Sequence, residues 1–360
     1  MAQVPDTRFK PFVEYDGPFL LWMGLLLFAL RLGSRRQLGF ELNTPEALRN
    51  LNRLSGCRQK TLAHPDTLDH YLGHVTPDDL HGVRRRMVRR LIRMKALDGG
   101  RLFGHFLVVL DGTGQLSFQE RHCEHCLEQT VHGKTRYYHS VLEAKLVTPD
   151  GLAVSIGTEF IENADPRASK QDCELKAFAR LADRLKKDFP QLRICLLLDA
   201  LYANGTAMGV CEQKGWKYLI TFKEGSMPAL WQEYQTLLDL SPQNRQTHRK
   251  ARDVQQTFRW VEGLQHRDDQ GREHRPSAFQ CREHDGDRKT LFAWLTNFPI
   301  DSQNVARWAI EAGVAGGRSR TKDSTSRRTA GSIWSMPTAT KRRRTRTSIS
   351  CCNWRICCCS

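Results

Sequence analysis

The chain has 360 residues, with 55 Lys and Arg against 39 Asp and Glu, and a formal net charge of +16. That length holds two domains, or one with an insertion. The excess of cations points to a polyanion, most simply nucleic acid, with an anionic membrane surface as the competitor. The apolar run Phe19 to Leu32 argues little for the membrane. It carries Arg31 and falls short of the ~20 residues a spanning helix needs. It also begins behind Asp6, Glu14 and Asp16, unlike a secretory signal. A buried helix and no membrane partner are expected. Of the 12 cysteines, seven are scattered from Cys57 to Cys281 and five crowd into Cys351, Cys352, Cys357, Cys358 and Cys359. A secreted disulfide framework is spread through a small domain, so a reducing, cytoplasmic setting is expected.

Residues 1–98 read as a helical, basic, DNA-binding region. Thr44-Pro-Glu-Ala-Leu starts like a capped helix, and Thr76-Pro-Asp-Asp-Leu repeats the signal. The second leads into Val83 to Lys95, where Val83, Met87, Leu91 and Met94 form an apolar stripe. Arg84, Arg85, Arg86, Arg89, Arg90, Arg93 and Lys95 occupy the rest. A solvated helix face reads similarly. Seven cations without an acid in the stretch favour phosphate contact, which supplies affinity rather than sequence choice.

After Asp98-Gly-Gly, residues 99–222 read as a mixed sheet with flanking helices. Phe106-Leu-Val-Val-Leu-Asp111 and Ile194-Cys-Leu-Leu-Leu-Asp199 are short apolar runs bounded by turn residues, the pattern of strands covered on both faces. Between them, two strand-like segments joined by Thr148-Pro-Asp-Gly form a hairpin. Ser169 to Phe189 is an amphipathic helix stopped by Pro190. A short helix around Thr206 to Lys214 and a strand from Trp216 to Phe222 follow. Residues 223–288 are polar and read as a β-rich insertion. Residues 289–313 supply a last strand and the start of a closing helix.

Each of the two buried runs ends in one aspartate. Singly, each reads best as the cap of its own turn. As a pair on adjacent strands they would bring together two hard oxygen donors, which suits Mg²⁺. The carboxyl ends of such strands are where open α/β sheets place ligands. The loop with Cys123-Glu-His-Cys126, near His122, His125 and His132, is a lone C-x-x-C. It reads more simply as a reduced loop than as half a zinc site.

On Val109-Leu-Asp111-Gly-Thr, Tyr137-Tyr-His-Ser-Val-Leu-Glu-Ala-Lys, Leu197-Leu-Asp199-Ala-Leu-Tyr-Ala-Asn204, Tyr218-Leu-Ile-Thr-Phe-Lys and Trp294-Leu-Thr-Asn, the chain resembles the DDE transposases of bacterial insertion sequences, in the group with a β-strand insertion. The resemblance runs from about Phe9 to Gly313. It implies a ribonuclease-H-like fold, two Mg²⁺ ions (with Mn²⁺ able to substitute), and cutting and joining of double-stranded DNA at element ends and target. A homo-oligomer is one open expectation, which the sequence itself does not decide. Asp111 and Asp199 match the first and second catalytic carboxylates and metal ligands. The family's third acid, a Glu on the helix after the insertion, has no match. Glu311 falls in Arg307-Trp-Ala-Ile-Glu-Ala-Gly, which matches the segment before that helix. The expectation is therefore an impaired transposase, with an inactive DNA-binding remnant that occupies element ends as the alternative.

Residues 314–360 look aberrant. Arg318 to Arg346 is rich in Arg, Ser and Thr with hardly any apolar period, a composition of disorder. The peptide Gly316 to Ser324 can be encoded so that reading one base earlier gives Trp-Lys-Ile-Glu-Asn-Glu-Gly-Phe. The same shift turns the cysteine tail into an apolar, Leu-rich helix. Both translations match the family's closing region, and the missing Glu codon then straddles Ser319 and Arg320. A frameshift near Gly313 is the hypothesis. The gene's nucleotide sequence from Asn304 onward decides it, since codons that forbid the shifted reading end the idea.

Overall fold

Helix starts in the first ninety residues are set by prolines and capping side chains. The computed structural model describes residues 1–121, 123–163, 171–249, 254–286 and 288–312. The aberrant tail, its cysteine cluster, the frameshift reading and His122 lie outside these, as does the start of the helix expected from Ser169. The helices are α1 (Gly17–Ala29), α2 (Arg35–Glu41), α3 (Pro45–Ser55), α4 (Pro65–Leu72) and α5 (Pro77–Arg93). The chain continues with β1 (Phe106–Phe118), β2 (Leu127–Val131), β3 (Lys134–Val147), β4 (Ala153–Ile161), α6 (Glu174–Asp188), β5 (Ile194–Leu198), α7 (Gly205–Lys214) and β6 (Lys217–Thr221). Then come α8 (Pro228–Leu240), β7 (Arg245–Arg249), β8 (Gln255–Val261), β9 (His266–Arg267), β10 (Glu273–His274), β11 (Ser277–Asp285), β12 (Arg288–Thr296) and the single turn α9 (Val305–Arg307).

The described residues divide into two compact units. One holds Met1–Arg90 and Gln115–His139; the other holds Leu91–Gly114 and everything from Ser140 onward. In the first, α1 buries Phe19, Leu20, Leu21, Met23 and Leu27, as its apolar run requires. No helix among the described residues is long and apolar enough to cross a membrane. Thr44 accepts a hydrogen bond from the Ala47 N–H and caps α3, and Gly56 ends it in the left-handed region.

The apolar stripe read on α5 is corrected. Met87 and Met94 are each 63% exposed, while Leu80 and Val88 are the buried pair. Arg84 sits between those two at i+4 spacing, half-buried, and donates to His81 Nδ1 at 2.8 Å. A long Arg stem can cover apolar surface while its head stays polar. An Arg therefore holds a core-line position that apolar counting gives to Met87.

The second unit is a mixed α/β fold. Its strand order is β3-β1-β5-β6-β12-β11-β8-β7, with β4 paired to β3. The strands β1, β5 and β6 run parallel. The β12 strand joins β6 antiparallel, and β11, β8 and β7 extend the sheet antiparallel in turn. Every residue of β5 is buried, as expected of a parallel strand covered on both faces. Three expectations are adjusted. The first strand does not end at Asp111 but continues to Phe118, because β3 accompanies it beyond the reach of β5. The polar stretch after Lys223 contains α8, whose Leu230, Tyr234 and Leu238 recur at i+4 and are buried. The closing segment makes one α turn and then a π-helical turn, Trp308–Ala312.

The β9–β10 hairpin pins α7, the helix that follows Asp199. His274 is buried and meets Glu212 at 2.9 Å and Asp268 at 3.2 Å, and Asp268 also takes the Arg272 side chain at 2.7 Å. Burial acts to raise the Asp268 pKa, but hydrogen bonds from Arg272, His274 and Gln270 outweigh it and hold the carboxyl well below the ordinary range. A carboxylate depressed in the folded state contributes stability above its unfolded pKa of about 3.9 and loses it as pH falls toward the folded value. Urea unfolding followed against pH should therefore show stability draining away below about pH 4, with a shallower decline in Asp268→Asn. Equal slopes would remove Asp268 from the acid response.

Candidate functional site

The parallel register decides where the two aspartates fall. Phe106 pairs with Ile194 and Val109 with Leu197. Asp111 lies two residues past Val109 on β1, and Asp199 two past Leu197, just beyond the end of β5. Adjacent strands lie about 4.8 Å apart, so Val109 and Leu197, 88 positions apart in sequence (197 minus 109), become neighbours and bring the two aspartate-bearing strand ends side by side. Asp111 is exposed and Asp199 half-buried.

Side chains alternate along a strand. Leu107, Val109, Cys195 and Leu197 belong to one buried cluster with Trp308, Ala309 and Ala312. Alternation assigns Asp111 and Asp199 to the same face as that closing segment. Gly112 faces the other way, toward α6. A methyl group there would stand 2.9 Å from the Glu174 carboxyl carbon. Glycine is thus what lets the Glu174 carboxylate approach the backbone beside Asp111.

Glu174 opens α6, where a helix N-terminus favours negative charge. The start of that helix is tied down by Arg180, which bonds Asp172, Glu159 and the Phe160 carbonyl. Tyr202 donates to Glu174 at 2.8 Å from a fully buried ring. Burial pushes the Tyr202 hydroxyl far up, and Glu174, Asp199 and Asp111 push it further, so it stays a proton donor. Sequence reasoning passed over Glu174 and Tyr202. The signal for the latter was Asp199-Ala-Leu-Tyr202, one tight turn beyond the second carboxylate.

The turn-capping reading of Asp199 also holds, since Oδ1 accepts from the Leu201 N–H at 2.8 Å. With Asp111 alongside, the donor set is hard and anionic, and it fits Mg²⁺ by chemistry. Comparison with protein-family models and with curated proteins returns no match. The site therefore rests on its own residues. Among the described residues, only Cys123, Cys126 and His139 bring three His, Cys, Asp or Glu ligand atoms within 4.8 Å of one another. Among the described residues, Asp111 and Asp199 belong to no such group of three. Glu311 is turned to Arg307, at 2.8 Å.

The cations expected on α5 are partly solvated. Arg84 and Arg85 are half-buried, whereas Arg86, Arg89, Arg90, Arg93 and Lys95 are exposed. Within the first unit, Arg86, Arg89 and Arg90 stand at i, i+3 and i+4 on α5 and share one exposed, charged face, the form that binds a phosphate backbone without reading bases.

Proposed function

We propose that this chain is a DNA-cutting and -joining enzyme of the DDE transposase type, with a ribonuclease-H-like catalytic sheet, impaired in its present form. The observation that carries the reading is that β1 and β5 are adjacent and parallel, with Asp111 two residues past Val109 and Asp199 two past its partner Leu197. The parallel β1-β5-β6 core with antiparallel flanks and packed helices supports it, as does the exposed basic surface of α5. Asp111 and Asp199 would hold Mg²⁺ from one side. When bound, such ions supply charge stabilisation at both the attacking and the leaving oxygen of a phosphodiester. The residues of the chain itself do the rest. The α5 cations hold the DNA backbone, Asp199 is kept in place by the Leu201 N–H, and Tyr202 fixes the Glu174 carboxylate behind β1. The partners are double-stranded DNA, at element ends and target, and further copies of the chain, in the cytoplasm.

The test is nicking of supercoiled DNA by the full chain. Mg²⁺-dependent nicking that Asp111→Asn reduces by at least about 100-fold supports the enzyme. Salt-sensitive binding with no nicking in any divalent metal instead leaves an inactive remnant that occupies element ends. Nicking without joining of an end substrate would mark a nuclease of the same architecture, since a fold alone does not fix the reaction.

A further inference from the structure

Two thiols and an imidazole meet at one point in the first compact unit. Cys123 Sγ lies 3.7 Å from Cys126 Sγ, and each sulfur lies 3.5 Å from His139 Nε2. Bond lengths of ~2.3 Å for Zn–S and ~2.05 Å for Zn–N at tetrahedral angles put two sulfurs about 3.8 Å apart and sulfur and nitrogen about 3.5 Å apart. The three observed distances match those edges. The sulfurs are too far apart for a disulfide, which needs ~2.05 Å.

Local folding explains the convergence. His132 and Gly133 both have positive φ, 51° and 73°, and close a two-residue turn between β2 and β3. The pairing of Leu127 with Tyr138, continued one step, sets Cys126 opposite His139. Cys123 comes back through a tight turn in which the Cys126 N–H donates to the Cys123 carbonyl at 3.3 Å. Cys126 is 0% and His139 1% exposed, and the Phe118 ring stands perpendicular to the imidazole with centroids 6.0 Å apart. Two of the three donors are therefore largely dry.

We propose that Cys123, Cys126 and His139 bind a zinc ion that fastens the loop before β2 to strand β3. Thiolate and imidazole donors select a soft divalent metal over Mg²⁺. On binding, both thiols release their protons to solvent, and the two thiolate charges balance that of Zn²⁺. The three donors leave one corner of the tetrahedron for a fourth ligand. This site is independent of the reading of Asp111 and Asp199.

Full-length protein purified under reducing conditions should retain about one equivalent of zinc. Metal-free protein titrated with Co²⁺ should give the visible bands of a tetrahedral ion and a thiolate charge-transfer band. Cys123→Ser, at the half-buried end of the site, should weaken zinc binding by more than about 100-fold while leaving the far-ultraviolet dichroism unchanged. His139→Cys should keep the metal and strengthen the charge-transfer band as thiolates rise from two to three. That readout survives even if the serine variant misfolds. Wild-type protein that holds neither zinc nor Co²⁺ under these conditions overturns the proposal. So does a Cys123–Cys126 disulfide that added zinc does not compete with.

Discussion

Trp308→Ala should lower the unfolding free energy by about 3–5 kcal/mol, as loss of a buried Trp side chain does elsewhere. Trp308 is 2% exposed, and its ring lies 4.0 Å from Phe298 and 4.9 Å from Phe103, centroid to centroid. Lys217 sits over the Phe298 ring and Arg307 over that of Phe103, so the aromatic group is closed by cation–π contacts. The cost combines lost burial with the cavity left among residues that cannot collapse onto it. Trp308→Phe should recover most of the stability, because it refills much of that volume. The same cluster contains Val109 and Leu197, each two residues before a site aspartate. Loosening it should therefore also weaken any divalent-metal effect on melting temperature. Urea unfolding measures the first effect, and a loss under about 1 kcal/mol would place Trp308 outside the core that supports the site.

Replacing Arg86, Arg90, Arg93 and Lys95 together with alanine should flatten the salt dependence of DNA binding. Each phosphate contact contributes about −0.9 to the slope of log affinity against log salt, so four lost contacts should reduce it by about 3–4. Arg86, Arg90 and Arg93 are exposed on α5, and Lys95 is exposed two residues past its end. Their removal leaves Leu80 and Val88 packed, and thermal stability should hardly change. The loss should be the same for unrelated duplex sequences, because phosphate contacts carry no base information. Fluorescence anisotropy over a salt series measures it. An unchanged slope would mean that DNA engages another surface.

The parts of this fold that were readable in advance are those with redundant local signals. Thr148-Pro-Asp-Gly marks the β3–β4 hairpin by turn chemistry alone, and the run Ile194 to Leu198 is apolar throughout because both faces are covered. Thr44 before Pro45 fixes the start of α3. That Asp111 and Asp199 follow two neighbouring parallel strands was readable only as a conditional. Each strand announces itself, but no local pattern states that the two are neighbours and in step. The phase of α5 was lost because Arg84 occupies an apolar line. The extension of β1 to Phe118 was lost because Asp111-Gly-Thr-Gly looks like a turn, and only the adjacent β3 keeps it extended. The third zinc donor was hidden for a different reason. His139 stands 13 residues from Cys126, a spacing with no motif of its own, and becomes legible once the His132-Gly133 turn fixes the register.

The adjacency of β1 and β5 also bears on how the chain is made. Phe106 meets Ile194, so 88 residues (194 minus 106) must be synthesised after the first strand before its partner exists. At about 5–20 residues per second this takes roughly 4–18 seconds. During that interval the apolar segment Phe106 to Leu110 has no parallel neighbour. A chaperone that holds extended apolar peptides would find its natural client there, and ribosome-bound chains halted between Val109 and Ile194 should be markedly more prone to aggregate than chains released after β6.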